Sequence, residues 1–536
     1  MIANSTIASQ NNVELALHCY KAEDYRKALH FYGKAIQNAF KKFANREIIE
    51  CLSKIESIIG QHNITVSKSK HARWVAMGGT AELALGFPER AESEFNRALD
   101  LLGFRQPRSK MGYITKTLFE AVLQLRNRYL PSLRKRVPDR RVKDVHLAAM
   151  IMERQFVVYF YLKKMEGLFY SALASTNLSE ATQDDTVTLS RSYANIGNVF
   201  AGIPAYRLSS SYLRRAKKVA ENLNDDGAWA WYHLAGGMCL AQFGDWQGHT
   251  QAMSKCQQSA IAHGDRRRWE EATSVKSIAG FLSGELEQAS DLSNDYSKIL
   301  DSGFRRGVTQ TQLWGLCMWL MSAIVQGEFT LANSLDKRLK KLIDGSSDPI
   351  DPVNVLEANS SFALLSLRNE ETIEAFEYLT MAAKEIAIWG RPTNWRSIVG
   401  CFHYCEATLR LWYQLKVEGR ESYFKETQRR LNSAIYLLKQ HANIYDIAIP
   451  RYRLVAGWYE SMLENEDASH THWIKGLEFA KKFNMKFDTC LLLLALDTSL
   501  SNESLSKATH KDYSSELLSE GKKLYDLARF REWRNI

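Results

Sequence analysis

The chain has 536 residues, 45% hydrophobic and 24% charged; it is too long for one compact core, and its composition excludes a disordered chain. The formal net charge is +10, but Arg105 to Lys143 alone holds twelve Lys/Arg against Glu120 and Asp139. The rest of the chain is balanced, so a generally basic protein is excluded. Only 9 prolines occur in the whole length, which favours helices, since interior proline breaks them.

Met1–Gln10 is small and polar, with no basic start followed by an apolar run. It reads as a disordered N-terminus rather than a secretory leader. Residues 11–102 form a first helical block. Ala16, Tyr20, Ala28, Tyr32 and Ala35 fall at helical spacing around a break at Glu23-Asp24. A second joint reads Gly86-Phe87-Pro88-Glu89-Arg90-Ala91, with Pro88 suited to a first helical turn. Phe95, Ala98, Leu99 and Leu102 then make one apolar stripe.

Residues 103–145 differ in kind. They hold Pro107, Pro131 and Pro138 and most of the excess positive charge. Ile114, Leu118, Ala121, Val122 and Leu125 predict one amphipathic helix. Arg134 to Arg141 reads as an exposed connector, and a domain boundary is placed here.

From 146 to 498 helix pairs recur. Gly202, Gly244, Gly284 and Gly327 close successive patterns at intervals of 40 to 43 residues. Ala289 and Ala332 each stand five residues past their glycine, and Ala375 five past Glu370. A periodic array of such joints marks a repeat solenoid. Leu313–Val325 is the longest dense apolar run and is shorter than the roughly 20 residues a bilayer needs. It predicts a buried helix. Residues 499–536 read as a polar loop and a C-terminal capping helix over Tyr513–Trp533. The 8 cysteines include no CxxC, which fits reduced thiols and a cytoplasmic location.

At these joints the chain resembles tetratricopeptide repeats: Gly86, Gly284 and Gly327 each precede an alanine by five. More specifically, it resembles the C-terminal helical-repeat tail of bacterial signalling proteins that join a class III adenylate/guanylate cyclase or protein kinase domain to an ATPase domain. Phe40-Lys41-Lys42-Phe43-Ala44-Asn45-Arg46-Glu47, Leu101-Leu102-Gly103-Phe104-Arg105-Gln106-Pro107-Arg108-Ser109 and Gly264-Asp265-Arg266-Arg267-Arg268-Trp269-Glu270-Glu271-Ala272 carry that likeness. It covers roughly residues 13 to 497. It implies an all-α, TPR-like helix-turn-helix repeat superhelix, an α-solenoid. Gly-x4-Gly-Lys-Ser/Thr does not occur, so the family's nucleotide chemistry is not carried over.

Several groups invite a chemical reading. Cys401-Phe402-His403-Tyr404-Cys405 lacks the second ligand pair that structural zinc needs, and His403 is expected to point away from the two cysteines. Buried thiols are the reading taken. His470-Thr471-His472 reads as a solvated helix start. Arg266, Arg267 and Arg268 could grip an anion at a helix N-terminus; alternatively Asp265 caps that helix, Trp269 packs inward and Arg267 pairs with Glu271. Arg134, Lys135, Arg136, Arg140 and Arg141 could contact an acidic partner. Few aromatics accompany them, so nucleic acid is not expected. Trp229, Trp231, Trp246 and Trp269 fit either a ligand groove or the inter-helix core.

No Gly-x-Ser-x-Gly or HExxH motif occurs. The expectation is a non-catalytic protein–protein interaction scaffold without cofactor or metal. By resemblance it belongs to a bacterial signalling system and docks or restrains a separate ATPase- or cyclase-type partner. A small-ligand sensor with an effector in the concave groove is the alternative.

Overall fold

The computed structural model describes residues 2–500, except 135, 204, 302–308, 347–349 and 390–394. These described residues contain α-helices, three short 3-10 turns and no strand. The architecture is all-α, built from helix-turn-helix repeats of the TPR-like, solenoid type.

In chain order the helices are α1 Ile2–Lys21, α2 Tyr25–Lys41, α3 Asn45–His62, α4 Lys68–Ala84, α5 Pro88–Leu102, α6 Lys110–Tyr129, α7 Val142–Tyr161 and α8 Met165–Thr182. They continue with α9 Val187–Gly202, α10 Tyr206–Leu223, α11 Asp226–Gln242, α12 Trp246–His263, α13 Arg266–Ser283, α14 Leu286–Asp301, α15 Thr309–Val325 and α16 Phe329–Asp344. The last are α17 Pro352–Arg368, α18 Thr372–Trp389, α19 Ser397–Glu418, α20 Glu421–Ile444, α21 Ile449–Met462, α22 Glu466–Lys482 and α23 Lys486–Leu500.

One local device makes most hairpins. The helix ends in a single left-handed residue, and the next N–H reaches back five residues. Gly244 has φ 74 and Asp245 N donates to Leu240 O at 3.0 Å; Gly284 has φ 90 and Glu285 N donates to Gly280 O at 2.8 Å. Gly327 does the same through Glu328 N and Ala323 O. This pattern satisfies carbonyls that a helix end leaves orphaned. The alanines predicted at the joints, Ala91, Ala289, Ala332 and Ala375, are all fully buried. Gly202 differs: it is the last residue of α9 and is not left-handed.

The chain divides into two units. Unit 1 comprises residues 1–200, 206–235 and 256–269; unit 2 comprises 201–205, 236–255 and 270–536. In unit 1 the hairpins α1–α2, α4–α5 and α7–α8 pack around a core containing Ile36, Ile55, Trp74 and Phe95. Phe43 of the α2–α3 joint meets His263 edge to face, and Arg267 donates to Ala84 O at 3.3 Å. In unit 2, α17–α18, α19–α20 and α21–α22 form hairpins. Trp246 Nε1 donates to Phe483 O at 2.7 Å, and Lys486 pairs with Glu285 at 2.6 Å.

Residues 1–10, read as disordered, lie largely within α1. The division into units falls between residues 200 and 270, whereas the sequence reading placed a boundary at 103–145. The capping helix expected at Tyr513–Trp533 lies outside the described residues.

Candidate functional site

The segment 103–145 carries α6, a helix of unusual orientation. α5 packs directly on α7, and α6 lies against α8. The helix is amphipathic, as its spacing predicts, but its polar side faces inward. Gln124 and Asn127 are only 3% and 4% exposed. Leu118, Val122, Leu125 and Tyr129 stand 64%, 65%, 57% and 67% exposed. Met111, Ile114 and Phe119 extend this outward apolar stripe, and Leu130 and Leu133 continue it past the helix end. A surface helix of a globular protein usually turns its apolar stripe to the core.

A polar network holds α6 in this orientation. Asn127 Nδ2 donates to Asn177 Oδ1 at 3.2 Å. Asn177 Nδ2 in turn donates to Glu120 O at 2.9 Å and Glu120 Oε2 at 2.7 Å. Gln124 Nε2 donates to Glu180 Oε1 at 3.4 Å, which also accepts from Tyr193 Oη at 2.7 Å. Tyr113 and Tyr159 hydroxyls meet at 2.9 Å. Burial pushes the Glu120 carboxyl above the usual carboxylate range, opposed by the Asn177 hydrogen bond. A network of this kind fixes register because breaking any member strands a buried polar group.

The sequence-predicted basic residues divide around it. Arg134 is half-buried, donates to Asn127 O at 3.0 Å and lies 3.5 Å from Glu180. It is part of the underside that holds α6. Arg136, Arg140 and Arg141 are exposed, the last with its guanidinium 5.7 Å from the Phe104 ring centre. Lys135 lies outside the described residues. The connector is therefore anchored at Arg134 and by Val137 N donating to Ala181 O at 3.3 Å.

The second predicted group sits elsewhere in unit 1. Asp265 caps α13, accepting from Arg268 N at 3.1 Å. Arg266 is exposed. Arg267 is half-buried and donates to Tyr161 Oη at 3.2 Å. Arg268 is buried, its guanidinium 3.9 Å from the Trp231 ring centre, with Arg191 at 4.3 Å. Asn195 accepts from Trp231 Nε1 at 2.9 Å, and Arg191 pairs with Glu153 at 3.0 Å. Burial lowers Arg154 to about 10, helped by Arg191. Burial works to raise Asp265, but Arg268, Arg191 and Arg154 hold it below its usual value. Sequence reasoning missed Arg154, Arg191 and Glu153, which carry no motif of their own. The arginines are matched by carboxylates and an aromatic face, as in a structural tie between α7, α9, α11 and α13.

Unit 2 encloses a further ionisable group. Cys401 and Cys405 are fully buried, as expected. His403, expected on another side of the helix from the two cysteines, is buried too, because α19 is covered all round from Ser397 to Leu409. Burial lowers His403 to about 3, reinforced by Arg451 and Arg410. Glu406 is raised by burial to about 7, against its ion pair with Arg410 at 3.0 Å. Arg451 is fully buried with Asp488 at 2.9 Å. Both histidines of 470–472 are half-buried rather than solvated: His472 stands 3.2 Å from Arg453 Nη1. Trp246 and Trp229 are half-buried, and Trp231 is buried.

Among the described residues, no three or more His, Cys, Asp or Glu stand together as a metal would require. None of the described helices is long and apolar enough to cross a membrane. Unit 1 has a cavity of about 380 Å³ lined by residues including Phe40, Arg73, Met77, Lys143 and His146.

No protein-family model matches the chain, and no curated protein matches it. Among solved structures, the chain is similar to the crystal structure of yeast Tom70, with 11% identity, 93% of this chain and 98% of that chain covered, and a TM-score of 0.34. It is also similar to a circular tandem repeat protein of novel repeat topology, with 11% identity, 97% and 98% covered, and a TM-score of 0.15.

Proposed function

We propose that this chain is a non-catalytic protein–protein interaction scaffold that engages its partner through the outward apolar face of α6. The observation that supports the reading is the inversion itself. Seven large apolar side chains between Met111 and Tyr129 stand in solvent, while the same helix spends its polar residues on α8. Contiguous exposed apolar surface rimmed by polar groups marks interaction sites. Helical-repeat arrays serve mainly as binding surfaces.

The resemblance at residues 40–47, 101–109 and 264–272 extends the reading. The partner is a separate ATPase- or cyclase-type protein of a bacterial signalling system, docked or restrained in the cytoplasm. Affinity capture from the native cell tests this, with wild-type chain and a Leu118→Asp/Val122→Asp variant as baits. The wild type is expected to retain a specific partner that the variant loses. Equal recovery by both baits would remove α6 from the interaction.

A second reading, a small-ligand sensor, draws on the cavity of about 380 Å³ in unit 1, within the size range of ligand sites. A ligand there would raise the unfolding temperature by mass action. A thermal-shift screen of small anions and metabolites against wild type and Arg73→Ala checks it.

A further inference from the structure

We infer, resting on the scaffold reading above, that the partner presents an acidic amphipathic helix to the α6 face. The face is one helix long. From Met111 to Tyr129 it runs about 27 Å at 1.5 Å per residue, matching roughly five turns of a partner helix laid along it by its own apolar stripe. Apolar contact alone sets no sign of charge; the surroundings do.

Exposed cations bracket the stripe at both ends. Arg105 and Arg108 precede the start of α6, and Arg136 and Arg140 follow its end. Between residues 105 and 143 the acids are Glu120, half-buried and bonded to Asn177, and Asp139. A helix carrying carboxylates towards both ends complements this frame.

The other occupants fit less well. A second copy paired about a two-fold axis would place the same patch against itself and bring two basic frames together. An anionic membrane would meet the same four arginines, but a helix lying in the interface also needs free cations of its own along its length. Most of those on α6 are committed: Lys110 pairs with Glu166 at 2.6 Å, Arg126 Nη2 donates to Asn127 Oδ1 at 2.9 Å, and Arg128 Nη2 donates to Ser211 Oγ at 2.8 Å. Lys116 is the exposed cation left on the helix.

The test uses the full chain and three synthetic 20-residue helical peptides with one apolar stripe. Their polar positions carry Glu, Gln or Lys. Vesicles of neutral lipid, with and without anionic lipid, and sedimentation of the chain alone complete the set. The Glu peptide is expected to bind at least about tenfold tighter than the Lys peptide, with the difference shrinking as salt rises. Val122→Asp should abolish binding. Combined Arg105→Glu, Arg108→Glu, Arg136→Glu and Arg140→Glu should transfer the preference to the Lys peptide. Far-UV circular dichroism confirms that these surface variants remain folded. Equal binding of the three peptides, or none, overturns the inference. So does binding to anionic vesicles alone, or a dimer that Val122→Asp dissolves. If the peptides are not distinguished but the native partner is still captured by wild type and lost with Leu118→Asp/Val122→Asp, the scaffold reading stands and only the acidic helix falls.

Discussion

Glu357 in α17 lies wholly inside unit 2, and burial raises its carboxyl to about 8, against the pull of Arg396. Such a group is kept neutral by its surroundings. The folded chain holds the proton and the unfolded chain releases it near the ordinary value of 4.5. The contribution is therefore fully present below 4.5 and is lost as pH rises through about 8. His403 works in the other direction. Its folded value of about 3 lies below the ordinary 6.5, so its contribution is present above 6.5 and lost as pH falls towards 3. Glu357→Gln keeps the shape and removes the titration. Urea unfolding at pH 5 and pH 8.5 should show the wild type losing about 2 kcal/mol or more relative to the variant between the two. Parallel loss in both would contradict the neutral buried acid. The sequence revealed the thiols of α19 as buried and set His403 on another side of the helix, but gave no sign that this side is buried too. A wheel with one apolar face assumes a half-exposed helix, and α19 has no exposed face near that residue.

α6 shows how far an element can be read before its neighbours are known. The spacing of Ile114, Leu118, Val122 and Leu125 predicted an amphipathic helix, and the helix is there. Which side faces inward depends on Asn177 and Glu180 of α8, 50 and 56 residues from their partners Asn127 and Gln124. Nothing local to residues 110–129 reveals those partners, so the default of apolar side inward misleads. The inversion reverses the usual consequences of substitution. Leu118→Asp should change unfolding free energy by less than about 0.5 kcal/mol. Asn127→Leu should cost roughly 1–3 kcal/mol, since it strands a buried polar partner on Asn177. Chemical denaturation of the two variants checks the order, and a costly Leu118→Asp would place that residue in a core. The joints were legible for the opposite reason. A left-handed glycine, an acid and an alanine five residues on are local requirements of one turn.

For the whole molecule, the helical-repeat architecture followed from joint spacing and scarce proline, whereas the division into units did not. Phe43 meets His263, and Trp246 meets Phe483; contacts more than two hundred residues apart leave no periodic trace. The segment read as an exposed connector is exposed at Arg136 and from Pro138 to Arg141, and it lies within unit 1. The α6 face is open in the free chain, and we propose that the partner covers it. Thiol labelling at Val122→Cys tests it most directly, because seven of the chain's own 8 cysteines are buried and Cys19 is half-buried. The Val122→Cys thiol should react as fast as an exposed thiol, an Asn127→Cys thiol much more slowly, and bound partner should protect the first. A Val122→Cys thiol that is already protected in the free chain would show that the α6 face is not open.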